Sequence, residues 1–197
     1  MKILFVNGCL RGEESRTLRL CRAALDQMKQ TLGDITVEEL NLDREDVQPL
    51  NGLRLARRHA LEQAEQFDDS IFRYARQFAE ADLILVGVPY WEYQFPAMFR
   101  CYLEQVSVCG LTFCYTEDGR PQGLCKAERL FYVTTSGGPI ADRNCGFDYV
   151  KTLCGGMLGI PQLDWAAAES LDVWGVDVEA QLRQAEEDIR NTIKSWR

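Results

Sequence analysis

Hydroxyl, aromatic and glycine residues gather in three short stretches of this 197-residue chain: GCLRGEESRT from Gly8, PYWEYQF from Pro89 and TTSGGP from Thr134. In the first, Ser15 and Thr17 stand where a helical pattern begins. The first turn of a helix has unpaired N–H groups and the positive end of the macrodipole, so hydroxyls placed there suit an anion. Arg11 or Arg16 could add a charge. Neither Gly-x-Gly-x-x-Gly nor Gly-Lys-Ser/Thr is present, which argues against a dinucleotide pyrophosphate cradle and against NTP hydrolysis. A terminal phosphate monoester fits better. Taken alone, an ordinary helix cap and turn is the competing reading.

The second stretch follows a buried-looking strand and carries Tyr90, Trp91, Tyr93 and Phe95. Core packing accounts for one or two of these rings, and the rest point to a flat ligand that they cover. The third stretch offers hydroxyls and the bare backbone of Gly137 and Gly138, suited to hydrogen bonding the polar edge of a ring. Any tight turn could use the same glycines, so this stretch is weak by itself.

These stretches cooperate only if the fold brings them together. KILFVN (residues 2–7) is too continuously apolar for a half-exposed strand and predicts one covered on both faces. From Ser15, apolar residues recur at Leu18, Cys21, Leu25, Met28 and Leu32, which predicts an amphipathic helix capped by Ser15 and stopped at Gly33. ITVEELNL is a second strand. A long helical pattern then spans residues 53–81 with a break expected near 67–69. ADLILVGVP is a third strand, closed by Pro89, and a helix follows from about Pro96 to Val108. A fourth strand (from Arg129), a helix over 145–158, a fifth strand over 162–168 and a helix over 178–196 complete the pattern. Strands alternating with helices predict one α/β domain over residues 1–197, with a five-stranded parallel sheet in the order 2-1-3-4-5 flanked by helices. In that order the loops after strands 1, 3 and 4 converge at the carboxyl edge, and they are the three stretches above.

Composition narrows the class. With 46% hydrophobic and 26% charged residues the chain is globular, and its net charge of −8 argues against nucleic acid or an anionic membrane as partner. The apolar start ILFV falls short of the roughly 7–15 residues of a secretion signal, and no apolar run reaches the about 18 needed to span a bilayer. Eight scattered cysteines and a single histidine assemble no zinc set. Most of the cysteines sit in apolar runs and are expected as small buried thiols, which suits a reduced, cytoplasmic protein. His59 is expected on the surface, outside any chemistry.

A phosphate clasp, a ring clamp and a hydrogen-bonding turn in one crevice describe a site for flavin mononucleotide (FMN). At this point the sequence resembles the flavodoxin-like NAD(P)H:quinone reductases and FMN-dependent NADH azoreductases, formerly called acyl carrier protein phosphodiesterases. The resemblance spans nearly the whole chain. It rests on the first loop, on PYWEYQFPAMFRCYLEQV, on TTSGG and most specifically on GLTFCYTEDGRPQGL. It implies that Ser15 and Thr17, with Cys9 at the third hydroxyl position, hold the phosphate. It further implies that Pro89, Tyr90, Trp91, Glu92 and Tyr93 line the isoalloxazine, that Ser136, Gly137 and Gly138 bond its polar edge, and that Tyr115 helps roof the substrate pocket. A homodimer with flavin pockets across the interface is implied, as are bound FMN, NADH or NADPH as co-substrate and a small aromatic acceptor.

Three positions depart from the family. Cys9 replaces a serine and is a poorer donor. Glu92 replaces a common asparagine, and Gly137 stands where a larger residue is frequent. Glu92 could face the flavin as an anion, stay neutral, or face solvent while its backbone makes the contact. The runner-up reading is a flavodoxin-type electron carrier without a small-molecule substrate of its own, which the acidity suits. A flavin-free interaction protein on the same fold is the third. The pocket-building TFCYTEDGRPQGL excursion favours the reductase over the carrier.

Overall fold

The computed structural model describes residues 1–196; Arg197, the last residue of the span read as one domain, lies outside the described residues. Five parallel strands form the central sheet: β1 (Lys2–Asn7), β2 (Thr36–Asn41), β3 (Leu83–Gly87), β6 (Arg129–Thr135) and β7 (Gln162–Ala168). Their order is β2-β1-β3-β6-β7, which is the expected 2-1-3-4-5 once the two short strands β4 (Phe113–Tyr115) and β5 (Pro121–Gly123) are set aside as a separate antiparallel hairpin. The hairpin is the GLTFCYTEDGRPQGL excursion, and its two strands were not foreseen as strands.

Strand alternation divides the core into two layers. Leu4 and Val6 of β1, Ile84 and Val86 of β3, and Leu130 and Tyr132 of β6 face one way, toward α3 (Arg73–Glu80), α4 (Ala97–Val106) and α5 (Cys145–Val150). Ile3, Phe5, Leu83, Leu85, Phe131 and Val133 face the other way, toward α1 (Arg16–Leu32) and α6 (Val178–Lys194). A strand apolar at every position is therefore the signature of a sheet covered on both sides. On the second face α1 and α6 are also tied by Arg19, which pairs with Glu179 at 2.8 Å and Glu186 at 2.7 Å.

The long helical pattern is broken where expected. α2 (Gly52–Gln63) ends well before a 3-10 turn at Ser70–Phe72 that leads into α3, and none of the α2 residues is buried. The predicted helix over 145–158 needs correction: α5 stops at Val150 and continues as a π-helical turn over Lys151–Gly155. The expectation of mostly buried thiols is also corrected. Cys9, Cys21 and Cys154 are buried, Cys101, Cys114 and Cys125 are half-buried, and Cys109 and Cys145 are exposed. The two exposed ones sit just beyond the end of α4 and at the start of α5, where the chain leaves the core. His59 lies exposed on α2, and no described helix is long and apolar enough to cross a membrane.

Candidate functional site

The chain runs from β1 outward to β2, then returns past β1 to β3, so the switch point lies between β1 and β3 at their carboxyl ends. A crevice of about 210 Å³ opens there. Its floor and one wall come from Leu10, Arg11, Ser15, Arg16 and Thr17, a second wall from Pro89, Tyr90 and Trp91, and a third from Thr135, Ser136 and Gly137. Leu171 and Asp172, from the loop after β7, close it. The residues from the first loop and those around Trp91 thus share one crevice.

At the anion end, α1 begins as foreseen. Ser15 caps it, its Oγ accepting from the Leu18 N–H at 3.2 Å, and Gly33 beyond the far end has φ 79°. With Leu18 taken, the N–H groups of Arg16 and Thr17 have no intrahelical acceptor, and the dipole of a 17-residue helix adds to them. Thr17 is 1% exposed, and its Oγ1 meets Thr135 Oγ1 at 2.7 Å, which pins the first loop to the end of β6. Arg11 makes no ion pair among the described residues, whereas Arg16 Nη1 sits 2.8 Å from Asp172 Oδ1.

Cys9 does not line the crevice. Its thiol donates inward to the Gly87 carbonyl at 3.5 Å, and its N–H is taken by Asn7 Oδ1 at 3.0 Å. A hydrogen bond from the Cys21 thiol lowers the Cys9 pKa against the cost of burial, while burial pushes Cys21 up. The Cys9 side chain is therefore packed under the site.

On the aromatic wall, Tyr90 is held from both ends: its N–H donates to the Thr135 carbonyl at 3.0 Å and its hydroxyl to the Arg143 carbonyl at 2.8 Å. Trp91 to Gln94 form a tight turn, closed by Gln94 N–H to the Trp91 carbonyl at 2.8 Å, with φ 51° at Glu92 and 68° at Tyr93. Two positive φ values in succession mark a type I′ turn, unusual for non-glycine residues. The turn leaves Trp91 45% exposed and turns the Glu92 and Tyr93 side chains to solvent, outside the crevice lining. Their N–H groups have no hydrogen-bond partner among the described residues.

The third wall is zipped to the loop after β7. Ser170, Leu171 and Asp172 donate their N–H groups to the carbonyls of Gly138, Ser136 and Gly137 at 3.2, 3.1 and 2.9 Å. The Ser136 hydroxyl turns back onto the Gly138 carbonyl at 2.6 Å, leaving the Gly137 and Gly138 N–H groups as the donors without a partner among the described residues. Gly138 lies beside the lining and not in it. Tyr115 stands elsewhere, 61% exposed on the β4–β5 hairpin. That hairpin joins the far end of α4 to the start of β6; its Gly123 packs on Leu158 and Gly159, while Pro121, paired with Tyr115, shares a cleft with Tyr149 of α5, so it runs along α5 outside the crevice lining. Leu171 and Asp172 were missed from sequence. The signal is that strand 5 also ends at the carboxyl edge, with AESLDVWG as its loop.

A doubly wound sheet whose switch-point crevice joins a helix N-terminus with hydroxyls to a flat aromatic wall and a turn of free N–H groups defines a protein built to hold a phosphorylated planar ligand. The family model described as "Flavodoxin-like fold" matches residues 1–193. An FMN-dependent NADH:quinone oxidoreductase from Clostridium perfringens is 31% identical, covering 99% of each chain, and a second from Clostridium acetobutylicum is 31% identical at the same coverage. An azoreductase structure from Bacillus anthracis superposes with a TM-score of 0.86 over 100% of both chains at 23% identity, which is a likeness of fold. This chain belongs to the flavodoxin-like family that includes the FMN-dependent NADH:quinone oxidoreductases.

Proposed function

We propose that this chain is an FMN-dependent NAD(P)H oxidoreductase that reduces quinones, or azo and nitro aromatics, by two-electron transfer. The observation that carries the reading is the single crevice holding Ser15 and Thr17 at one end and Tyr90 and Trp91 along its side. The donor set fits FMN. The hydroxyls of Ser15 and Thr17 and the N–H groups of Arg16 and Thr17 suit a phosphate at the start of α1. Tyr90 and Trp91 give a flat wall, and the N–H groups of Glu92, Tyr93, Gly137 and Gly138 suit the polar edge of a ring. Cys9 contributes packing beneath the loop in this reading.

When bound, FMN supplies the hydride chemistry, accepting from a nicotinamide and passing two electrons to the acceptor. The chain's part is to hold and orient. Trp91, half out of the crevice, leaves room for nicotinamide and acceptor to take turns at one open face. No acid or base of the chain is required for this transfer, since solvent supplies the protons in this reading.

The working unit in this reading is a cytoplasmic homodimer, with residues 1–197 acting as one domain. Tyr115, exposed and outside the crevice lining of its own chain, would roof the crevice of a second copy in this reading. The apolar cleft formed by Pro121, Tyr149, Leu153 and Met157 lies on the same face as the hairpin and suits subunit contact. Eight free thiols agree with a reducing compartment.

An anaerobic titration of the FMN-loaded protein with NADH or NADPH tests the activity. Rapid bleaching of the visible flavin band, restored by adding a quinone, is the expected result. A stable one-electron state with negligible bleaching by nicotinamide would instead indicate an electron carrier.

A further inference from the structure

The crevice contains one acid, Asp172, and it sits where the cofactor's own charge is expected. Arg16, the first residue of α1, reaches Asp172 Oδ1 at 2.8 Å and the Leu171 carbonyl at 3.4 Å. The other carboxylate oxygen lies against Gly137: a Cβ there would stand 2.5 Å from Asp172 Oδ2. Glycine at 137 thus leaves the space that the carboxylate fills. The Asp172 backbone cannot retreat, because its N–H is bonded to the Gly137 carbonyl at 2.9 Å. Its side chain is 71% exposed and free to swing toward water.

We propose that Asp172 is a resident competitor of the cofactor phosphate for Arg16, and so sets how strongly the crevice prefers FMN over its dephosphorylated form, riboflavin. This rests on the FMN reading above. A phosphate at the start of α1 meets a guanidinium already neutralised by Asp172, and it meets the carboxylate itself as a like charge. Arg11 remains as the other cation. To recover Arg16 the phosphate must displace Asp172, and an exposed ion pair is weak enough to be displaced at modest cost. Riboflavin carries no phosphate and feels neither effect.

Fluorescence titrations of the full chain, stripped of flavin, with FMN and with riboflavin test this in wild type, Asp172→Asn and Arg16→Gln/Asp172→Asn. Asp172→Asn is expected to bind FMN about three- to ten-fold more tightly with riboflavin affinity unchanged. The gain should shrink when Arg16 is also replaced. Weaker FMN binding by Asp172→Asn, or an equal change for both flavins, overturns the inference and leaves the FMN reading intact. A wild-type protein that binds neither flavin overturns the FMN reading and this inference with it. Thermal denaturation of each variant without flavin separates altered binding from altered folding.

Discussion

Ser15 has two separable duties. As the N-cap of α1 its Oγ accepts from Leu18 N–H, and it also lines the crevice, where the proposed reading places the phosphate. Ser15→Ala removes both, costing about 1 kcal/mol of stability and lowering Tm by about 2–4 °C. Ser15→Asp separates them, because aspartate is an equally good cap but carries a charge that repels phosphate. Flavin-free Ser15→Asp should melt with the wild type while losing most of its FMN affinity, measured by thermal denaturation and flavin titration. Unimpaired FMN binding in Ser15→Asp would move the phosphate away from this helix end.

At the scale of elements, the Trp91–Gln94 turn stores strain. Glu92 and Tyr93 both hold positive φ, a left-handed region that costs a non-glycine residue about 1–2 kcal/mol. The turn persists because its ends are anchored: Tyr90 is bonded to Thr135 and Arg143, and Phe95 is buried against Phe99 at 4.9 Å between ring centres. Asparagine tolerates this region, so Glu92→Asn should stabilise the flavin-free protein by about 0.5–1 kcal/mol, read as a rise in the denaturant midpoint. A fall would mean that the Glu92 side chain makes a contact worth more than the strain. The Glu92 side chain is turned to solvent, outside the crevice lining.

Across the whole molecule, three phenols are folded into the sheet–helix layer. Burial pushes Tyr74 up to about 12, and it raises Tyr102 and Tyr132 well above the ordinary tyrosine range. Among the described residues the Tyr102 and Tyr132 hydroxyls also have no hydrogen-bond partner. A folded pKa above the unfolded value of about 10 favours the protonated, folded state, so this contribution is complete below about pH 10 and is lost as pH rises through the folded values. Stability toward urea should hold steady through neutral pH and fall above about pH 10. The phenolate signal of these three residues should appear together with unfolding. Their ionisation in a still-folded chain would show the layer to be looser than this packing.

Much of this architecture was legible in the residues themselves. Strands β1, β3 and β6 are apolar at consecutive positions, which only a sheet buried on both faces can accommodate, and the order of strands and helices then left few topologies. The cap at Ser15, the stop at Gly33 and the break before α3 follow from local backbone chemistry and were read from it. Direction and long-range contact were not legible. Cys9 turned to the core through its thiol's bond to the Gly87 carbonyl, a residue 78 positions away, over a bare Cα where an added Cβ would meet Cys21 Sγ at 2.4 Å. The hairpin's course along α5, with Pro121 beside Tyr149, was set by contact between segments far apart in the chain. Asp172 entered the crevice through three backbone bonds to a loop more than thirty residues earlier in the chain. Periodicity and capping act over a few residues and are written in the sequence, whereas the side chains that meet across strand ends are chosen by the packing of the whole sheet.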